Sequence, residues 1–457
     1  MNSDAINSLC AALRGDLVQP SDPTYDEARA VYNAMHDAHP RLIVQARDTA
    51  DVVTAVKFAR RHNLLLALRG GGHSVPGFGT CDGGMVLDLG HINSVNVNPE
   101  ESTVLAGGGC TLGDLDHATH AFGFAVPGGT VSTTGLAGLT LGGGMGHLSR
   151  SCGLSIDNLV SAEVVTAAGD IVTCNADAHP DLFWAIRGGG GNFGVVTSFQ
   201  FRAQAISTVF GGPTFFEVDD QVIRNYQALM NEAPEHLNAV FAIAQALPVP
   251  FVPEARHGDP VMIVLGCWSG PEQQDDAMAA SIAELGTVIG QGLWRMPYPE
   301  MNMFFDELLP PGLRHYWKAN SMIELDDPLI AAHLEHGPRV GNPESGLFMF
   351  PINGACHRVA DEETAFANRR SSYASVIAGT WHDPSDDEAY VAWVRDYYDA
   401  LAPCSEPGGY VNFMGDEDAG SNAANYGPKL DRLQSIKAEY DPDNLFRINQ
   451  NIPPSVS

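Results

Sequence analysis

Hydrophobic and polar residues follow different patterns in the two halves of this chain. Residues 41–69 predict a strand, a helix and a strand, because an apolar helical face that includes Val52 and Val56 separates the short apolar runs RLIVQAR and LLLALRG. The segment GMVLDLGHINSVNVNPEESTVLAGGG predicts strands joined by a turn at Asn98 and Pro99. A helix is expected to start near Thr111 and to stop near Gly123.

The pattern changes after Phe201. Residues 204–400 alternate between apolar stretches, such as LNAVFAIAQALPV and SGLFMFPING, and helical stretches, such as DEAYVAWVRDYYDAL. This pattern predicts a second α+β unit with an antiparallel sheet. The chain contains no run of 18 apolar residues, so no membrane-spanning helix is predicted. The N-terminus lacks the basic start and apolar core of a signal peptide. A cytoplasmic location is therefore expected.

The net charge of the chain limits the classes of partner that it is expected to bind. With 55 acidic and 25 basic residues the formal net charge is −30, which argues against nucleic acid and anionic membranes. An acidic, lysine-poor surface suits a salt-rich host, in which charge is screened, but a mesophilic enzyme can also be acidic. The eight cysteines form no CxxC pair, and no Cys/His set has zinc-ligand spacing, so free thiols and no metal site are expected.

Three glycine-rich segments, within residues 66–77, 127–170 and 182–203, suggest a backbone that approaches a ligand closely. Glycine allows positive φ, and it lets backbone N–H groups reach an anion without a Cβ in the way. Three such segments together favour one large ligand, such as a dinucleotide, over the alternative of tight turns in a β-rich domain. The chain has neither a P-loop pattern nor a Rossmann fingerprint in its βαβ context.

His73 follows three glycines directly, in the sequence RGGGHS. Backbone amides alone can hold a phosphate, so the imidazole suggests a second task. An imidazole nitrogen is a nucleophile, and the 8α-methyl group of an electron-poor flavin ring is a position that it can attack. A covalent flavin tether is one interpretation of His73, and a hydrogen-bonding residue in a loop is the other.

Longer stretches of the chain resemble a known family. RGGGHS (69–74) is similar to the flavin-attachment loop of FAD-linked oxidases in the vanillyl-alcohol-oxidase superfamily, and most similar to the berberine-bridge-enzyme-like group. Further resemblance to that group lies in residues 128–169, 181–199, 408–413 (GGYVNF), 425–427 (NYG) and 432–452. The resemblance implies an α+β fold with a PCMH-type FAD-binding domain in two parts, residues 1–205 and 406–457. A substrate domain of residues 206–405, an antiparallel sheet covered by helices, would be inserted between them.

The same resemblance implies which residues bind FAD. His73 would carry FAD through its 8α position. Many members form a second link from a cysteine where this chain has Val131, so a single tether is implied, and Cys152, where the family often has tyrosine, is an alternative tether. The implied FAD-binding set is Arg69, Gly70, Gly71, Gly72, His73, Ser74, Gly79, Gly129, Thr133, Thr134, Gly135, Gly138, Gly142, Gly143, Val196, Tyr410, Asn412 and Asn449.

The implied activity is that of an FAD-dependent oxidase. It would take a hydride from a C–H next to an alcohol or amine of a small organic substrate to flavin N5, and O2 would then reoxidise the flavin and give H2O2. Thr134, at the family's oxygen-gating position, leaves open a flavin-dependent dehydrogenase or cyclase with poor O2 reactivity. A catalytically silent flavin-binding protein and an NAD-dependent dehydrogenase are further alternatives.

Tyr410 is the candidate catalytic base, and the alternative is that it only packs on the flavin. A phenol has a pKa of about 10, so it would need a neighbouring cation, for which Lys318 and Arg314 are candidates. Lys318, Phe348 and Phe350 are also expected in the substrate pocket, because the two phenylalanines share a face of a predicted strand. His357 is interpreted as a residue of an extended strand without a catalytic role. The substrate and the oligomeric state remain open.

Overall fold

The structure is a computed structural model that describes residues 3–415 and 422–455. Its described strands form three sheets, of four, five and eight strands. The first two sheets come from residues 16–202 and the third from residues 208–381. The change of pattern after Phe201 therefore falls close to the boundary between two structural units, and the predicted α+β class is confirmed.

Seventeen strands are formed by the described residues. In chain order they are β1 (Asp16–Val18), β2 (Leu42–Gln45), β3 (Leu66–Arg69), β4 (Met85–Asp88), β5 (Val95–Asn98), β6 (Thr103–Gly107), β7 (Leu159–Val165), β8 (Ile171–Asn175), β9 (Val195–Arg202), β10 (Thr208–Phe216), β11 (Leu237–Gln245), β12 (Pro260–Trp268), β13 (Val288–Gln291), β14 (Trp294–Pro297), β15 (Arg314–Met322), β16 (Gly346–Pro351) and β17 (Tyr373–Trp381).

Fifteen α-helices lie within the described ranges, and none is long and apolar enough to cross a membrane. In chain order they are α1 (Ser3–Ala12), α2 (Tyr25–Arg29), α3 (Thr49–Arg61), α4 (Leu112–His120), α5 (Leu136–Gly142), α6 (Ser149–Cys152), α7 (Pro180–Ala185), α8 (Asp220–Glu232), α9 (Asp275–Ala283), α10 (Tyr298–Met301), α11 (Asp327–His336), α12 (Ala355–Arg358), α13 (Asp387–Leu401), α14 (Asn422–Tyr426) and α15 (Leu430–Tyr440).

The first sheet has the order β1-β2-β4-β3, with β2, β4 and β3 parallel. The predicted strand, helix and strand of residues 41–69 are β2, α3 and β3. Asp48 begins α3 by accepting a hydrogen bond from the Asp51 amide, and Val52 and Val56 are buried in the core beside the sheet. Since β3 ends at Arg69, the RGGGHS loop leaves the carboxyl end of a parallel strand, the edge at which such sheets bind ligands.

The second sheet is antiparallel, in the order β5-β6-β9-β7-β8. The predicted turn after Asn98 joins β5 to β6, and the Asn98 side chain accepts hydrogen bonds from the two following amides, of Glu100 and Glu101. The predicted helix is α4, which Thr111 caps through a capping box and which ends at His120, slightly before the expected stop. C-terminal residues 430–452 pack into the core of this sheet, so the end of the chain completes the N-terminal unit.

The third sheet is antiparallel, in the order β13-β10-β12-β11-β16-β17-β15, and β14 also pairs with β10. Helices α8, α11 and α13 cover one face. The opposite face packs against the glycine-rich segment around residues 145–156. The sheet thus lies between its own helices and the N-terminal unit, as predicted for an inserted antiparallel sheet.

Arg150 joins the two units from within the second glycine-rich segment. Its buried guanidinium donates to the carbonyl oxygens of Met230 and Ala233, at the C-terminal end of α8, and to that of Leu237. Burial lowers the pKa of Arg150, but the carbonyls at a helix C-terminus carry partial negative charge that favours a cation. This contact fixes the third sheet against the glycine-rich segment.

Candidate active site

A cavity separates the glycine-rich segments from the third sheet. One wall consists of the loop after β3, the loop that enters α5, and residues 190–196. The other wall consists of side chains from β15, β16 and β17. Residues 446–450 of the C-terminal segment complete the lining. Concave sites of this kind, between two structural units, are where ligands bind most often.

Most residues of the implied FAD-binding set line this cavity. They are Arg69, Gly70, Gly71, Gly72, His73, Ser74, Gly79, Gly129, Thr134, Gly135, Gly138, Val196, Tyr410, Asn412 and Asn449. Thr133, Gly142 and Gly143 lie behind the lining. Thr133 bonds His73, a Cβ on Gly142 would collide with the Asn412 side chain, and one on Gly143 would lie 3.1 Å from the Tyr410 ring.

The His73 ring is held in one orientation by its neighbours. It stacks on Tyr32 with ring centroids 3.9 Å apart, and Tyr32 stacks in turn on His315 at 4.8 Å. His73 Nε2 lies 2.9 Å from Thr133 Oγ1. Burial lowers the pKa of His73 to about 4. The imidazole is therefore neutral at physiological pH, which leaves a lone pair on one ring nitrogen.

The Tyr410 phenol lies in the same cavity and is only 2% exposed. Its oxygen accepts hydrogen bonds from the Gly144 amide at 2.9 Å and from Asn412 Nδ2 at 2.7 Å. Burial raises the pKa of Tyr410 to about 12, although both donors favour the phenolate. Because the two donors occupy both oxygen lone pairs, the hydroxyl proton is left to point at a third partner.

Neither cation expected beside Tyr410, Lys318 or Arg314, lies in the described lining. Lys318 follows Trp317 on β15, and adjacent strand residues point to opposite faces. Trp317 lines the cavity, whereas Lys318 Nζ lies 4.7 Å from the Tyr398 ring on α13. The prediction that Lys318 lines the substrate pocket is therefore wrong. Arg314 forms an ion pair with Asp387 instead.

Of the other residues considered near the substrate, some line the cavity and one does not. Phe348 and Phe350 both line the cavity from β16, as their alternation predicts. His357 does not: the predicted strand around it is α12, because Gly354 turns the chain at a φ of +66° just before the helix. His357 Nε2 lies 2.9 Å from the Ser371 carbonyl oxygen, outside the cavity lining.

Comparisons with known proteins bear on this cavity directly. The signature of an FAD binding domain matches residues 40–175, and that of berberine and berberine-like proteins matches residues 409–453. An uncharacterised FAD-linked oxidoreductase of Bacillus subtilis, YgaK, is 32% identical over 97% of each chain. The chain belongs to the berberine-bridge-enzyme-like family of FAD-linked oxidoreductases. The resemblance noted in the sequence is thereby confirmed.

Solved structures extend the likeness to the whole fold. The 6-hydroxy-D-nicotine oxidase of Arthrobacter nicotinovorans is 27% identical, has a TM-score of 0.85, and is matched over 97% of this chain and 98% of its own. A glucooligosaccharide oxidase of Acremonium strictum, with a 6-S-cysteinyl, 8α-N1-histidyl FAD, shares the fold at a TM-score of 0.86 and 22% identity, over 99% of this chain and 100% of its own.

The cavity fits the FAD that this family binds. A Cβ built on Gly138 or Gly191 would meet no atom within 4 Å, so the bare backbone at both positions faces open cavity space. Asn449 Oδ1 and Gln450 Oε1 are buried and accept no hydrogen bond from the described residues, although both side chains line the cavity. Such unmet acceptors suit a ligand with N–H groups, as the adenine and flavin rings of FAD have.

The two positions considered for a cysteine tether differ in their access to FAD. Val131 lines the cavity beside the His73 loop, and its side chain cannot form a thioether. Cys152 lies outside the described lining, and burial raises the pKa of its thiol, which disfavours the nucleophilic thiolate. Cys152 is therefore a poor tether on grounds of both position and reactivity.

A buried ion pair supports the part of the FAD cavity made by the C-terminal segment. Lys437 and Asp441 are both inaccessible to solvent and 2.6 Å apart. The Lys437 ammonium also donates to the carbonyl oxygens of Asn192 and Phe446, and Asp441 accepts from the Phe446 amide. Since Asn192 and Phe446 line the cavity, this pair positions the lining without touching a ligand.

Several positions in or beside the cavity carried no local signal in the sequence. Tyr32 precedes His73 by 41 positions, and His315 follows it by more than 200, so nothing in the chain order places the three rings in one stack. The alternation of His315 and Trp317 on β15 is the pattern that could have indicated a shared face. Glu344, in the loop before β16, also lines the cavity, and no motif of the sequence indicated it.

Proposed function

We propose that this FAD-linked oxidoreductase is an oxidase with a single covalent link to FAD. It removes a hydride from a C–H next to an alcohol or amine of a small organic substrate and delivers the electrons to O2 as H2O2. When bound, FAD supplies the hydride acceptor at N5 and the redox partner of O2. The observation that carries the proposal is that one cavity presents both a neutral, stacked His73 and the doubly hydrogen-bonded phenol of Tyr410.

His73 is the proposed point of attachment. Its stacking on Tyr32 and its contact with Thr133 hold the ring before any bond forms, and its low pKa keeps the nucleophilic form populated. The glucooligosaccharide oxidase with the same fold carries its FAD on a histidyl and a cysteinyl link. With Val131 in the cavity and Cys152 outside it, the histidyl link alone is proposed here.

Tyr410 is the proposed acceptor of the substrate O–H or N–H proton. The Gly144 amide and the Asn412 side chain stabilise the deprotonated phenol, and they take the place of the cation expected from the sequence. The pKa of Tyr410 is about 12. Below that value, the deprotonated fraction of the phenol increases about tenfold for each unit by which the pH rises. The proposal therefore expects kcat/KM to increase with pH through the alkaline range.

The covalent link is tested by acid precipitation of the purified protein, followed by the flavin absorbance of the washed pellet and of the supernatant. Colour is expected in the wild-type pellet, in the supernatant for His73→Ala, and again in the pellet for the control Val131→Ala. Flavin colour in the wild-type supernatant would refute the covalent link. Colour in the His73→Ala pellet would show that another residue forms the link.

The oxidase activity is tested by offering alcohols and amines to the yellow protein under air and measuring H2O2 against substrate consumed. An oxidase gives one H2O2 for each substrate oxidised. Substrate oxidation only in the presence of a dye acceptor would identify a dehydrogenase instead. A protein whose flavin is never reduced by any member of the panel would not be an oxidase.

A further inference from the structure

The segment of residues 302–313 belongs to the inserted unit, yet it contacts both of the N-terminal loops that surround His73. It joins α10 to β15 and consists of turns, and two of its side chains, Phe305 and Leu309, line the cavity. Turns lack the repeating backbone hydrogen bonds of a helix or strand, so the position of such a segment depends on its contacts with the rest of the fold.

Asp306 makes the first of these contacts, with the second glycine-rich segment. Its carboxylate accepts hydrogen bonds from the Ser132 amide, at 3.0 Å, and from the Ser132 hydroxyl. Two charge-assisted hydrogen bonds to one residue fix both its backbone and its side chain. Ser132 directly precedes Thr133, whose Oγ1 lies 2.9 Å from His73 Nε2. Asp306 thereby sets the position from which Thr133 contacts the imidazole.

Tyr32 makes the second contact, at the face of the His73 ring. The two rings stack with centroids 3.9 Å apart and planes 19° apart, and the Tyr32 amide donates to the Gly72 carbonyl oxygen at 3.1 Å. On the side of the inserted unit, the Tyr32 hydroxyl donates to the Leu309 carbonyl oxygen at 2.8 Å, and the Tyr32 carbonyl accepts from the Gly312 amide at 3.0 Å. Tyr32 therefore joins the RGGGHS loop to the turns of the inserted unit at two points on each side.

The hydroxyl of Tyr32 is fixed as a hydrogen-bond donor. Burial and the nearby Asp306 carboxylate both raise the pKa of Tyr32, because each disfavours the phenolate. The bond from Tyr32 to Leu309 is therefore retained over the physiological pH range, and Asp306 supports it in addition to its own bonds with Ser132.

We propose that Asp306 and Tyr32 are positioning residues for the covalent attachment of FAD, since they hold the edge and the face of the His73 ring against the 302–313 segment. A nucleophile that is already held in its reactive orientation reacts faster than one that must first be ordered. Attachment then requires the inserted unit to be docked on the N-terminal unit. This inference rests on the proposed covalent link and names residues outside the RGGGHS loop that promote its formation.

The attachment step is an oxidation of the flavin methyl group and the imidazole together. A ring nitrogen of His73 bonds to the 8α carbon, and one N–H bond of the imidazole and one C–H bond of the methyl group are broken. The two electrons and two protons that are released reduce the flavin, and O2 reoxidises it and forms H2O2. Oxygen is the oxidant that the proposed activity already uses.

The test compares the rate of covalent attachment in full-length variants. Protein from riboflavin-limited cells is incubated with FAD under air, samples are precipitated with acid over time, and flavin absorbance is measured in pellet and supernatant. Total bound FAD is measured on gel-filtered samples before precipitation. Asp306→Ala is expected to slow attachment about tenfold, and Ser132→Ala and Tyr32→Phe about fivefold each, at unchanged total FAD.

A conservative variant separates the hydrogen bonds of Asp306 from its mere presence. Asp306→Asn should regain most of the wild-type rate, because the asparagine oxygen can still accept from the Ser132 amide and its Nδ2 can donate to the Ser132 hydroxyl oxygen. Failure of Asp306→Asn to attach FAD faster than Asp306→Ala would contradict a role through these hydrogen bonds.

Two control variants make matched changes away from His73. Glu307→Ala removes an exposed carboxylate next to Asp306. Tyr25→Phe removes a buried hydroxyl that donates to the Pro40 carbonyl oxygen at 2.7 Å, as Tyr32 donates to Leu309. Both controls should attach FAD at the wild-type rate, and equal slowing in the controls would overturn the proposal.

Wild-type attachment rates in Asp306→Ala and Tyr32→Phe would also overturn it. So would slowing that only follows a loss of total bound FAD, because FAD binding and not His73 would then be affected. If Asp306→Ala does not fold, Ser132→Ala and Tyr32→Phe, which each remove one hydroxyl group, are judged by the same criteria. Absence of flavin from the wild-type pellet would refute the covalent link itself, whereas normal wild-type attachment with unaffected variants would refute only the positioning roles.

Discussion

Asp116 is a buried carboxyl group between α4 and α10, and replacing it by asparagine is expected to stabilise the protein at pH 8. Asp116 is 3% exposed, and its Oδ2 accepts a hydrogen bond of 2.7 Å from Asn302 Nδ2. Burial raises the pKa of Asp116 to about 7, because the hydrogen bond only partly replaces the lost water. Asn302 Oδ1 is buried without a donor among the described residues, so a protonated carboxyl group suits this pair better than a carboxylate.

The sign and size of the effect follow from the two pKa values. In the unfolded chain an aspartate has a pKa of about 3.9, so between about pH 4 and pH 7 the folded protein holds a proton on Asp116 that the unfolded chain has lost. The free energy of unfolding therefore falls as the pH rises through this window. At about 1.4 kcal/mol per unit, the loss reaches an upper limit of roughly 4 kcal/mol above pH 7. Asparagine does not titrate, so the Asp116→Asn variant does not undergo this loss of free energy of unfolding.

The assay is urea unfolding of the wild type and of Asp116→Asn between pH 5 and pH 8 at constant ionic strength. The free energy of unfolding of the variant minus that of the wild type should rise by about 1.4 kcal/mol per unit from pH 5 to pH 7 and then level off. The control Glu100→Gln, in the exposed turn between β5 and β6, should differ from the wild type by an amount independent of pH. The same independence in Asp116→Asn would refute the reasoning, because Asp116 would then be ionised in the folded protein.

Three further predictions concern the support and chemistry of the cavity. Lys437→Met leaves the buried Asp441 carboxylate without its cation and should lower the free energy of unfolding by about 3–5 kcal/mol in urea titrations. The double variant with Asp441→Asn should regain part of the lost free energy, and no recovery would contradict an ion pair between Lys437 and Asp441. Tyr410→Phe should lower kcat/KM about 10²–10⁴-fold and abolish its rise with pH at unchanged flavin content; a preserved pH profile would exclude Tyr410 as the base. Asp306→Ala removes the acceptor of the Ser132 amide and hydroxyl, and limited proteolysis should then cut residues 302–313 faster than in the wild type. Unchanged cleavage would mean that other contacts hold this segment.

Features that depend on a few neighbouring residues could be predicted from the amino-acid sequence. A helix cap, an amphipathic face and a turn each require particular residue types within a short stretch, so α3, α4 and the turn after Asn98 could be predicted from their own residues. Gly72 adopts a φ of +71° in the RGGGHS loop, a conformation that glycine accepts readily, and such a requirement leaves a visible motif. Of the eighteen residues that the family motifs indicated for FAD binding, fifteen line the cavity.

Which side chains meet, and how much water they keep, depends on the folded arrangement of the chain. Lys318 and Trp317 are neighbours in sequence, yet one lies under α13 and the other in the cavity, because a strand sends successive side chains to opposite faces. The elevated pKa of Asp116 depends on burial and on Asn302, which is 186 positions away in the chain. Desolvation and electrostatic interaction are properties of distance in space, which the order of residues does not record.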